Sequence, residues 1–213
     1  MPVTWDVLAQ RHSAGLRSAA ARLIQDLDQR PWRKRAASSA CKAGYGEGDV
    51  NVSGCKVFKP GDLPESNSSG YPAPFRDAQR KRWNRRLGDF GCLKNYGVNF
   101  VRVEPGGQSS ARHAHTKQDE FVYILGGDLV LVTDGGRQTV GPGTCVAFPA
   151  GTGDGHHFLN LSDRDAAFLV VGDRTPGDEA TYPDIDLRFA VGPDGAATFT
   201  HKDGTPYPKL ERN

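Results

Sequence analysis

Two histidines one residue apart, His113 and His115, stand between Gly107 and Gly127 with Glu120 close behind, and that spacing restricts the local backbone severely. In an extended strand alternate side chains share a face, so both imidazoles look into one space. The run Glu120-Phe121-Val122-Tyr123-Ile124-Leu125 is β-branched and aromatic, which predicts a further strand that opens with a carboxylate. With a turn between the two strands, two ring nitrogens and one carboxylate oxygen converge.

The surrounding chain reads as short strands and turns. Strands are expected at 98–103, 120–125, 129–133, 138–140, 145–148, 156–161 and 166–171, separated by Gly106-Gly107, Asp134-Gly135-Gly136 and Gly141-Pro142-Gly143. A further hairpin is expected from 186–191 and 196–201. This pattern predicts an all-β fold, an antiparallel double-sheet jelly-roll β-barrel. A second cluster follows the first: Gly143, then Pro149-Ala150-Gly151, then His156 and, after three residues, Asn160.

Together the two segments resemble the paired motifs of the cupin superfamily. The first motif is Gly, five residues, His-x-His, three or four residues, Glu, six residues, Gly. The second is Gly, five residues, Pro-x-Gly, two residues, His, three residues, Asn. Here the second carries two extra residues, because Gly151-Thr152-Gly153-Asp154-Gly155 precedes His156. His156 keeps the spacing to Asn160, while its neighbour His157, which points to the opposite face of a strand, is the alternative. Lys117 to Phe121, Phe148 to Gly151, Asp154 to His157 and the tail from Tyr182 to Tyr207 resemble an uncharacterised group of bacterial single-domain cupins, over roughly residues 83–208.

That resemblance implies a mononuclear metal site with His113, His115, Glu120 and His156 as ligands, and assembly as a homodimer. Three imidazoles and a carboxylate suit one divalent transition metal, Fe(II), Mn(II), Ni(II), Zn(II) or Cu(II). Val122 and Ile124 share the face of Glu120 and give the cavity apolar walls, while Phe121 and Tyr123 point away. Asp154 and Asn160 are candidates for orienting a ligand imidazole through its free ring nitrogen. Arg102 and Arg112 could face an anionic substrate, but each is as well explained as outward and solvated.

The leading expectation is a metal-dependent enzyme on a small organic molecule, with dioxygenase-type oxidation ranked slightly ahead of isomerase or lyase chemistry. A non-catalytic ligand-binding or regulatory protein is the alternative. A formal net charge of +2 on 213 residues gives no reason to expect nucleic acid or an anionic membrane as partner. No apolar run reaches the ~18 to 20 residues of a membrane span, and the N-terminus lacks a secretory core, so a cytoplasmic protein is expected. Four scattered cysteines, Cys41, Cys55, Cys92 and Cys145, are expected as reduced thiols.

Four stretches are expected along the chain: an N-terminal extension at 1–50 with a helix about 5–29; an arm at 51–90 with an edge strand near Val52 to Phe58; the β-barrel at 91–175; and a tail at 176–213. Within the arm, Arg76, Arg80, Lys81, Arg82, Arg85 and Arg86 surround Trp83. A solvated charged face explains that cluster best.

Overall fold

A computed structural model describes residues 56–73, 75–192 and 196–208. The helix expected at 5–29, the loop after it, Cys41, Cys55 and most of the Val52 to Phe58 strand lie outside the described residues. Lys56 to Phe58 are not in a strand.

The alternation of apolar and polar residues produces antiparallel sheets. The largest has five strands in the order β1 (Arg82–Arg85), β2 (Tyr96–Val103), β9 (Ala166–Asp173), β4 (Glu120–Gly126) and β7 (Cys145–Phe148). A three-stranded sheet runs β6 (Gly136–Val140), β5 (Leu129–Thr133), β8 (His157–Leu159). A third, of four strands, runs β12 (Ala197–Thr200), β11 (Arg188–Val191), β10 (Glu179–Thr181), β3 (Ala114–His115).

The inward faces of the first two sheets meet over one core. Val101 and Val103 from β2, Val122 and Ile124 from β4, Leu129 from β5, Phe158 from β8 and Phe168 and Val170 from β9 are all buried there. Phe121, Tyr123 and Leu125 alternate with these along β4 and are exposed, as a period of two requires. A second cluster packs the tail, with Tyr182 and Leu187 buried against Tyr71, Phe75, Phe189 and Phe199.

Most expected strands form within a residue or two of the expected ends. The expected strand 156–161 contracts to β8. The strand near the start of the described chain is β1, inside the basic run, and it pairs Arg82 with Val103 and Asn84 with Val101. Gly127 closes the turn after β4 at φ +71°, where an added Cβ would lie 2.6 Å from the Asp165 carbonyl oxygen. Cys145 is a free, exposed thiol, whereas Cys92 is disulfide-bonded, so reduced thiols throughout are not what the fold contains. Among the described residues no helix is long and apolar enough to cross a membrane.

Candidate metal centre

The site is assembled by three local pairings. His113 and His156 face each other across an isolated antiparallel bridge, with the His156 N–H donating to the His113 carbonyl at 2.8 Å and the reverse bond at 3.2 Å. Directly opposed residues put their side chains on one side, so the rings come to 5.0 Å between centroids. The two extra residues before His156 are taken up in the turn that starts at Gly151, whose N–H donates to the His115 carbonyl at 2.9 Å. Phe148 is paired with Glu120 across β4 and β7, and its ring stacks on His156 at 3.5 Å and 5°.

Among the described residues, His113, His115 and Glu120 form a group whose donor atoms all lie within 4.8 Å of one another. His156 stands outside that triplet but touches it, its Nε2 lying 3.1 Å from Glu120 Oε2. His157 points elsewhere, its Nδ1 bonded to the Ser110 carbonyl at 3.1 Å.

His113 and Glu120 suit an ion in their protonation as well as their position. His113 Nδ1 donates to the Ala111 carbonyl at 2.9 Å, which leaves Nε2 as the free lone pair. Burial holds the His113 pKa down at about 4 against the partial opposition of Glu120, so the ring is neutral at pH 7. For Glu120, burial pushes the carboxyl up, but the hydrogen bond with His156 and the neighbouring imidazoles outweigh it and keep the group below its ordinary value. A neutral His113 ring beside an ionised carboxylate is what a divalent cation requires.

The buried carboxylate hydrogen-bonded to His115 is Asp178, while Asp154 and Asn160, the residues expected to orient a ring, bond elsewhere. Asp178 is fully buried, and its Oδ2 lies 2.6 Å from His115 Nδ1, leaving Nε2 of that ring free. Its Oδ1 accepts the backbone N–H groups of Lys117 at 2.8 Å and Gln118 at 3.1 Å. Burial alone would raise its pKa, but these donors and His115 lower it on balance. Asp154 instead accepts the Asp134 N–H at 2.7 Å in an exposed turn. Asn160, wholly buried, donates to the carbonyls of Val103 and Arg164 and accepts from Ser162, so its side chain fastens the turn at 161–164 to the end of β2. Neither reaches a site imidazole.

The imidazoles open on a cavity of about 330 Å³. Val122 lines it, while Ile124 is buried in the core beyond it. Tyr182 stacks over His113 at 5.8 Å and meets Tyr71 edge-on at 5.8 Å. Burial raises the pKa of both phenols, which stay protonated. Gln79, Arg82 and Asn84 line the same cavity. No local signal in the sequence pointed to Tyr71, Tyr182 or Asp178, because each reaches the site from a segment outside the two motifs. Arg102 and Arg112 face carboxylates rather than the cavity.

A half-buried cluster of imidazoles and a carboxylate, set in facing antiparallel sheets, defines the class. The chain belongs to the cupin superfamily. Residues 99–172 match the family model of a cupin domain. A solved structure from Silicibacter pomeroyi, described as a sugar phosphate isomerase from a cupin superfamily, is 45% identical, with a TM-score of 0.68 over 71% of this chain and 96% of the other. A second, from Acidithiobacillus ferrooxidans and described as a candidate sugar phosphate isomerase, is 27% identical, with a TM-score of 0.53 over 62% and 81%. No curated protein matches the chain.

Proposed function

We propose that this chain is a metal-dependent enzyme acting on a small, oxygen-rich molecule, with isomerisation of a phosphorylated sugar as the leading reaction. The observation that carries the reading is the convergence of His113, His115 and Glu120 on the wall of a cavity sized for one small metabolite. His113, His115 and Glu120 would hold the ion, with His156 as fourth donor. A bound divalent metal supplies Lewis-acid polarisation of a substrate oxygen. Asp178 fixes the His115 ring in one tautomer, and Ala111 does the same for His113. Phe148 excludes water from one face of His156. The protonated phenols of Tyr71 and Tyr182 supply neutral hydrogen-bonding groups to the cavity.

Isomerisation moves ahead of dioxygenase-type oxidation because the neighbour at 45% identity is described as an isomerase, while the oxidative reading retains only the donor set in its favour. The test is to measure the metal content of protein purified without chelator, then to follow aldose and ketose phosphates by NMR and oxygen uptake in parallel. Interconversion without uptake is the expected result; substrate-dependent uptake reverses the order of the two reactions. Metal-free protein that gains no activity on reconstitution with any of the five metals defeats the enzyme reading.

We also propose a homodimer through the exposed row Phe121, Tyr123 and Leu125 with Tyr96. A monomer by sedimentation at micromolar concentration would refute it.

A further inference from the structure

Arginines at three places near the sheets differ in what neutralises them. Arg102 is held by Glu65 at 2.9 Å and Asp165 at 2.7 Å, above the Trp83 ring. Arg112 is held by Asp184 at 2.7 Å and by Asp134. Arg82 makes no ion pair and no side-chain hydrogen bond among the described residues, and its Nε is closed off from solvent. Beside it on the cavity wall, Gln79 is 3% exposed, and neither its Nε2 nor its Oε1 has a partner. Asn84 Oδ1 is likewise shut in and unpaired.

The backbone makes this arrangement more telling. β1 is paired so that Arg82 and Asn84 lie opposite the core residues Val103 and Val101, where alternation calls for apolar side chains. The outward pair is engaged, with Trp83 Nε1 donating to Glu104 at 2.7 Å and Arg85 donating to the Pro60 carbonyl at 3.3 Å and facing Glu65 at 3.9 Å, although the Arg85 Nε has no partner and does not line the main cavity. Buried polar groups without partners are rare in folded proteins, and a local rule broken with no internal compensation marks a place where something else binds.

We propose that Gln79, Arg82 and Asn84 form the binding site for the phosphate end of a phosphorylated polyhydroxy substrate. The inference rests on the enzyme reading above for the identity of the substrate, and on these three side chains for the placement of its charge. The guanidinium offers a planar fork that matches two oxyanion oxygens, and Gln79 Nε2 adds further donors. Gln79 Oε1 and Asn84 Oδ1 are acceptors, which an anion cannot satisfy but the hydroxyls of a sugar can. Phosphate held by Arg82 and Gln79 leaves the remaining oxygens of the molecule to the imidazoles that line the same cavity.

The experiment is calorimetric titration of inorganic phosphate into the full chain at low ionic strength, after metal has been removed by a chelator so that no ion can account for the binding. Saturable binding is expected, weakened at least tenfold by Arg82→Gln and at least threefold by Gln79→Leu, and unchanged by Arg80→Gln, whose side chain pairs with Asp77 in solvent. Gln79→Leu only exchanges an unpartnered amide for an apolar group, so it reports on the site even if Arg82→Gln fails to fold. Absence of saturable binding, equal affinity in the wild type and both cavity variants, or acetate binding as tightly as phosphate would each overturn the proposal. Metal uptake by the same proteins separates the two readings: phosphate binding that both cavity variants weaken, in a wild-type protein that never takes up metal, upholds this site and refutes the metal enzyme.

Discussion

The two sets of polar groups on the cavity wall, one around the imidazoles and one around Arg82, are similar in number and differ in how they are engaged. In the imidazole set, His113, His115 and His156 each make a hydrogen bond through one ring nitrogen, to Ala111, Asp178 and Glu120 respectively. In the other set, Gln79, Arg82 and Asn84 hold atoms with no partner at all. The first set is preorganised by the protein itself. The second is complete only when a ligand supplies what the fold withholds, and such groups lower stability in exchange for recognition.

The largest expected effect tests the first set directly. His113→Ala or Glu120→Gln should weaken metal binding by more than about 100-fold, since losing a ligand exceeds losing the group that orients it. Elemental analysis after dialysis checks this, and retention of metal by both variants would mean that the triplet is not the site. Acidification comes next. The unfolded chain protonates His113 near its ordinary pKa of 6.5, whereas the folded ring does so only at about 4. Stability of the metal-free protein is therefore full above about pH 6.5 and falls by about 3 kcal/mol as pH drops towards 4. Glu120 and Asp178, both held below their ordinary values, extend the loss at lower pH. Urea unfolding at a series of pH values measures it, and a flat profile from 7 to 4 would be inconsistent with a buried neutral ring.

A smaller effect separates orientation from architecture. Asp178→Asn should cost about 10- to 100-fold in metal affinity, whereas Asn160→Ala should lower stability by about 2 kcal/mol and leave metal uptake unchanged. The smallest effect belongs to the unpaired set. Gln79→Leu should stabilise the protein by about 1 kcal/mol in the absence of ligand, because it removes amide atoms that have no partner. A clear loss of stability there would show that the amide is bonded after all, and the contrast between the two sets would collapse.

The same contrast explains what could be read from the chain. His113, His115 and Glu120 were legible because they lie within eight consecutive residues and their relation is set by strand alternation alone. The spacing of His156 to Asn160 placed it beside the triplet, where its Nε2 lies 3.1 Å from Glu120, even though that asparagine ties a turn to β2 and bonds no ring. Asp178 was not legible, since it reaches His115 only because Ala180 of β10 pairs with His115 in β3, a long-range register that no local pattern encodes. Arg82 was hidden differently. In a run of six cations it looks like one more solvated charge, and only the pairing of β1 with β2 turns it inward.

The stretch that matches the family model, 99–172, contains all four proposed ligands, while Gln79, Arg82 and Asn84 precede it and Asp178 and Tyr182 follow it. The side chains proposed to hold the ion therefore lie inside the family match, and those proposed to hold the phosphate, together with the carboxylate bonded to His115, lie in its flanks.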